Sequence, residues 1–203
     1  MGQPAVFVRL AGCNLQCPLC DTEYTTGRSR FSVPGIYDAI LDHVHSTDFR
    51  PLIVISGGEP FRQANLGALC KFLLDKGYRV QIETNGTLYQ PLPWHHRDLT
   101  VVCSPKAGKV NAALLPRIDY FKYVVTAGDV ALDGLPNKAL EHSAGPRGVA
   151  RPPQGFARHR IYVQPVDTRD DAENRKHLEA AMTSCRQHGY SLCLQTHKLL
   201  GLE

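Results

Sequence analysis

Short runs of β-branched and aromatic residues alternate with amphipathic stretches along the whole chain. That alternation is the pattern of parallel strands joined by crossover helices. Candidate strands are residues 5–10 (AVFVRL), 52–56 (LIVIS), 79–83 (RVQIE), 99–103 (LTVVC), 120–125 (YFKYVV), 161–163 (IYV) and 191–194 (SLCL). Between them, residues 34–44 and 66–76 read as helices, 172–188 as the longest and most regular helix, and 111–115 as a short one. The expected class is α/β with a mostly parallel sheet. With 203 residues, 43% of them hydrophobic, the chain can bury a core of its own, and a single domain over 1–203 is expected. The pattern breaks after Ala127. Residues 142–160 (HSAGPRGVARPPQGFARHR) are rich in Pro, Gly and basic side chains, so an irregular basic surface loop is expected there. Loops of that length either close over a ligand or have no chemical part.

Composition excludes some classes of function. No apolar run is long enough to span a bilayer, and the N-terminus lacks the basic, apolar, small-residue order of a secretory signal, so a soluble cytoplasmic protein without a membrane partner is expected. The net charge is +4, but Lys and Arg are scattered rather than gathered on one element, and no nucleic-acid partner is expected. Seven cysteines, an odd count, argue against a disulfide framework and towards metal or catalytic use. Cys70, Cys103, Cys185 and Cys193 sit alone in apolar stretches, where free cysteine behaves as a small hydrophobe.

The other three, Cys13, Cys17 and Cys20, form CxxxCxxC on the loop directly after the first strand. Thiolates so closely spaced can wrap one soft metal centre, and three of them leave a coordination position to be filled. Structural zinc would need a fourth protein ligand. The next histidine, His43, lies at the far end of the helix read at 34–44 and completes no zinc motif, although zinc or a chance cluster stays open at this point. Gly57-Gly58-Glu59-Pro60 follows the apolar strand LIVIS, and the glycines there allow close backbone approach to a ligand or simply a tight turn. Glu83-Thr84-Asn85-Gly86, Ser104-Pro105-Lys106, Gln164-Pro165-Val166-Asp167 and Gln195-Thr196-His197-Lys198 follow strands in the same way. Singly they read as caps, turns or a frayed end. Their shared position, at the strand ends where βα barrels place active sites, suggests one site.

GCNLQCPLCDT, with its CxxxCxxC, is similar to the cluster loop of the radical S-adenosylmethionine (SAM) superfamily. Together with PAVFVRL, ISGGEP, IETNG, SPK, VQP and the terminal LQTHK, it makes nearly the whole chain resemble the 7-carboxy-7-deazaguanine synthase (QueE) family. The resemblance implies a shortened, modified radical SAM βα barrel. It implies a 4Fe-4S cluster on Cys13, Cys17 and Cys20, with SAM on the fourth iron, and Mg2+ at Thr22. It further implies ring contraction of 6-carboxy-5,6,7,8-tetrahydropterin with loss of ammonia, initiated by a 5'-deoxyadenosyl radical, in queuosine biosynthesis. Matching positions give Arg9, Ser56, Glu83 and Glu203 to the substrate. They give Leu19, Asp21, Gly58, Glu59, Asn85, Ser104, Pro105, Lys106, Gln164, Pro165, Val166 and Asp167 to SAM. A homodimer and a flavodoxin or ferredoxin as electron donor are implied as well. Family members carry an earlier strand ending in a segment like LQGEG that holds the pterin, whereas this sequence opens with Met1-Gly2-Gln3-Pro4. The competing readings are a radical SAM glycyl-radical activase and a non-enzymatic metal-bound module that binds RNA or a protein through the basic loop.

Overall fold

The computed structural model describes residues 2–22, 26–44, 49–142, 145 and 148–201. Among these, seven strands form one sheet: β1 (Ala5–Leu10), β2 (Leu52–Gly57), β3 (Val80–Thr84), β4 (Leu99–Cys103), β5 (Tyr120–Val125), β6 (Ile161–Pro165) and β7 (Ser191–Leu192). Each is parallel to its neighbour and the spatial order follows the chain from β1 to β7. Because β–crossover–β connections are right-handed, an order that never reverses puts every crossover on the same face. The other face is left as the concave side of an open, incomplete barrel, since the edge strands β1 and β7 do not pair. The expected α/β class and partial barrel are therefore present.

Three crossovers carry helices: α1 (Val33–Asp42), α2 (Leu66–Asp75) and α3 (Asp171–His188). Their ends are written locally. The Ser32 hydroxyl caps α1 by accepting from the Gly35 N–H at 3.1 Å, and Asp170 caps α3 by accepting from the Glu173 N–H at 2.9 Å. Gly189, at φ 73°, ends α3 in the left-handed conformation. A short C-terminal helix, α4 (Thr196–Leu199), follows β7. Among the described residues the connections from β3 to β4, β4 to β5 and β5 to β6 have no α-helix, contrary to the simple alternation read from the sequence. Where a short helix was expected at 111–115 there are turns leading into a 3-10 turn, Leu115–Arg117. Pro91, Pro93, Pro105 and Pro116 interrupt these connections, and proline removes a helix hydrogen bond.

Irregular chain covers the sheet there instead. Phe156 packs edge-on against Phe121 of β5 with ring centroids 5.0 Å apart. The buried Tyr123 donates its hydroxyl to the Ala150 carbonyl at 2.7 Å, Val149 is buried, and Arg151 pairs with Asp133 through two nitrogens. Among the described residues no helix is long and apolar enough to cross a membrane.

Candidate active site

Strand alternation sorts the side chains. On the crossover face, Ile53, Ile55, Val80, Ile82, Val101, Cys103, Phe121, Tyr123 and Val163 form the core. On the concave face the register brings Arg9 beside Ser56 and Glu83 beside Val102, and Lys122, two residues past Val102's partner Tyr120, reaches across to Glu83. Burial pushes the Glu83 carboxyl up, but the Lys122 ammonium, 2.6 Å away, more than reverses this and holds it below its ordinary range. Lys122 is raised in turn: its burial is outweighed by Glu83. The pair keeps 16% (Lys122) and 22% (Glu83) of its side-chain surface, so it faces the cleft. Lys106 reaches back to the Ser104 carbonyl at 3.0 Å, and its pKa falls to about 8 through burial and then the neighbouring Lys122 charge.

The cysteine loop leaves β1 through Gly12, at φ +84°. Cys13 and Cys17 are half-buried, Cys20 is exposed, and all three are free. The loop is held from below: the Gly58 N–H donates to the Leu10 carbonyl and the Glu59 N–H to the Gly12 carbonyl, each at 2.9 Å. A Cβ on Gly58 would stand 2.1 Å from the Gly12 oxygen, so glycine is needed there for the loop to lie down. Arg62 donates to the Cys13 carbonyl at 2.6 Å and Gln63 to the Ala11 carbonyl at 2.7 Å. The Leu19 N–H donates to the Leu140 carbonyl, and Leu140 and Glu141 both hold positive φ at that contact.

Glu59 is fully buried, beneath the loops rather than in the cleft. Its carboxylate accepts from the Thr84 hydroxyl at 2.8 Å, the Asn85 N–H at 2.7 Å and the Phe61 N–H at 3.0 Å. Burial raises its pKa, and these donors together with Lys106 oppose the rise. It thus joins the end of β2 to the end of β3. Asn85 extends the tie, donating to Asn14 of the cysteine loop at 3.0 Å and lying 3.9 Å from the Cys13 sulfur.

On the far side, α4 meets the cysteine loop. Lys198 Nζ is 2.9 Å from both Asp21 and Asp167, and Gln195 donates to Asp21 at 3.0 Å. Asp167 is brought down to about 2, chiefly by Lys198. Burial raises Asp21, but Gln195 and Lys198 more than offset it. The His197 ring lies tilted beside Phe7 of β1 with centroids 6.3 Å apart, and the Arg9 guanidinium lies over the same ring. Thr22 follows Asp21, Val166 and Pro105 are buried at their strand ends, and Gln164 takes a weak hydrogen bond from Cys193. Of the expected site residues, Glu203 alone lies outside the described ones. A cavity of about 540 Å³ opens beside Cys13, Gln16, Arg28 and Arg62. A smaller one of about 210 Å³, between Asp133, Arg151 and Tyr190, lies at the opposite, N-terminal end of β6 and takes no part in this site.

The pattern of the Radical SAM superfamily matches residues 8–97. The chain is 42% identical to the 7-carboxy-7-deazaguanine synthase of Rhodospirillum rubrum, over 98% of this chain and 84% of the relative. It is 37% identical to the enzyme of the same name from Rickettsia prowazekii, over 100% of this chain and 82% of that one. The chain belongs to the 7-carboxy-7-deazaguanine synthase family. Its fold is that of QueE from Escherichia coli, with a TM-score of 0.61 at 22% identity over 96% of this chain and 86% of that one. Streptococcus suis SuiB shares the fold at a TM-score of 0.59 and 12% identity, over 94% of this chain and 48% of that chain.

As a member of this family the protein is a radical SAM enzyme, and its cofactors are a 4Fe-4S cluster and SAM. The residues present suit them. The Cys17 thiol is raised by burial, lowered by Lys106, and raised again by Cys20 and Cys13, so the three sulfurs feel one another. Thiols spaced around a loop suit the corners of a cluster, whose irons stand apart. Some residues of the site carried no assignment from the sequence. Lys122 is the clearest, and its signal was a charge in the middle of the apolar strand YFKYVV. Lys198 and His197 lay in the quoted QTHK without a role, whereas Arg62, Gln63 and Asn14 offered no signal.

Proposed function

We propose that the cleft at the C-terminal ends of the strands binds 6-carboxy-5,6,7,8-tetrahydropterin and contracts its ring, releasing ammonia and 7-carboxy-7-deazaguanine for queuosine biosynthesis. The observation that carries this reading is the meeting of the cysteine loop, Gly58, Asn85, Lys106 and Asp167 around one polar sheet face, in a chain of this family over nearly its whole length. One sheet carries the entire site, which supports a single domain.

Cys13, Cys17 and Cys20 would hold the cluster, and SAM would bind beside it. When bound, cluster and SAM together supply one-electron chemistry able to remove a hydrogen atom from a C–H bond. The chain's own residues bind, orient and shield. The backbone at Gly58, with Leu19, Asp21, Asn85, Ser104–Lys106 and Gln164–Asp167, lines the SAM side. Glu59 acts from beneath by fixing Asn85 and the Gly57-Gly58 turn. On the concave face Arg9 offers a planar fork to the pterin carboxylate, Ser56 stands beside it in register, and Glu83 is kept ionised by Lys122 to accept from ligand hydroxyl or N–H groups. Thr22 offers an oxygen to Mg2+, and the C-terminus at Glu203 closes on the substrate. The functional unit is a homodimer, reduced by flavodoxin or ferredoxin in the cytoplasm, where thiols stay reduced.

The test is anaerobic reconstitution with iron and sulfide, then incubation with SAM, reductant, Mg2+ and the carboxytetrahydropterin, with mass spectrometry for the deazaguanine. Product is expected. Formation of 5'-deoxyadenosine without product would sink the substrate assignment and favour an activase, and zinc retention with no SAM cleavage would favour a binding module.

A further inference from the structure

We propose that Lys198 is a positioning residue: its ammonium clamps Asp21 of the cysteine loop to Asp167 at the end of β6, fixing the distance between the two walls of the cofactor cleft.

The need for a clamp comes from topology. β1 pairs only with β2 and β7 only with β6, so no backbone ladder joins the two edges of the sheet. The cysteine loop hangs from one edge and the Gln164–Asp167 segment from the strand beside the other. Lys198 reaches both, at 2.9 Å from each carboxylate, and Gln195 adds a bond to Asp21 at 3.0 Å. The anchor end is rigid. Asp167 accepts from Asn174 in the first turns of α3 at 2.9 Å and from the Arg169 N–H at 3.0 Å. The other end is the sensitive one, because Asp21 directly follows Cys20. Two carboxylates share one ammonium, so removing the lysine does more than delete two attractions. It leaves two like charges facing each other, which pushes the walls apart. The three side chains are 25–40% exposed, so their pairs add little to global stability and the variants should fold.

This inference rests on the proposed reaction, and the experiment separates the two. Hydrogen exchange over residues 11–22 of the chain without cluster, in wild type, Lys198→Met, Lys198→Arg and Lys198→Met/Asp167→Asn, reads the clamp alone. SAM affinity by equilibrium dialysis, and the ratio of 5'-deoxyadenosine to deazaguanine, read its consequence in reconstituted enzyme. Lys198→Met should speed exchange in the loop, weaken SAM binding about tenfold and raise the share of SAM cleaved without product. Lys198→Arg should restore most of the loss. In the double variant the loop should exchange more slowly than in Lys198→Met alone, because the repulsion is gone, a recovery that simple loss of packing would not give. Unchanged loop exchange in Lys198→Met, or a double variant no better than the single, would overturn the clamp. Wild type that yields no deazaguanine would overturn the proposed reaction while leaving the exchange result to judge the clamp.

Discussion

The two faces of the sheet are built from the same strands and differ in chemistry: the crossover face is almost wholly apolar, whereas the concave face mixes buried Val54, Val102 and Val124 with charged and polar side chains. Ile53, Ile55, Val80, Ile82, Val101, Phe121 and Val163 are buried on the crossover side, while Arg9, Ser56, Glu83, Lys122 and Gln164, one residue away in each strand, line the concave side. Parallel sheets are ordinarily covered on both faces. Here the crossovers cover one and the other is left for ligands, so stability and function are divided by alternate positions along each strand. Glu59 stands at the boundary, buried like the core but bonded to the loops of the site.

The sharpest test of this division is Cys17→Ser. It should abolish SAM cleavage while leaving the melting temperature of the cluster-free chain within a few degrees of wild type, as read by iron content and circular dichroism. Glu59→Ala should fail on both counts. It strands two backbone N–H groups and a hydroxyl, at a cost of roughly 3 kcal/mol or more, and it frees the cysteine loop, so denaturant midpoint and SAM affinity fall together. A normal SAM affinity in that variant would remove Glu59 from the site. Neighbours in β3 should then differ in turnover: Ile82→Ala loses about 2–5 kcal/mol of stability but keeps turnover per folded molecule, whereas Glu83→Gln loses turnover and, by leaving the Lys122 ammonium without its partner, some stability as well. If both variants keep or both lose turnover per folded molecule, the two faces are not separate.

The smallest effect concerns acid. Asp167 titrates at about 2 when folded, below its ordinary 3.8, so the folded state binds fewer protons than the unfolded one in that range. Its stabilisation is complete above 3.8 and disappears as pH falls towards 2. Asp167→Asn should flatten the melting temperature against pH between those values. An unaltered acid limb would show that Lys198 does not hold this carboxylate in solution.

Much of the frame was readable. All seven strands were found within one or two residues, because a strand in a parallel sheet is a short apolar run between turn signals, and the helices read at 34–44, 66–76 and 172–188 fall on α1, α2 and α3 within two residues. The missing crossover helices were less readable, since local pattern shows where prolines fall but not what covers the sheet in their place. Phe156 and Val149 do so from a stretch that looks featureless as sequence. Glu59 was legible as part of a motif, but its place beneath the loops was not.

The cysteine loop, the strand ends that share its side and the family were all legible before folding, because each depends on residues close together in the chain. Tertiary structure alone decided that Lys122 meets Glu83, 39 residues away, and that Lys198 meets Asp21, 177 residues away. Both contacts depend on the cumulative register and curvature of the sheet, which no local propensity encodes.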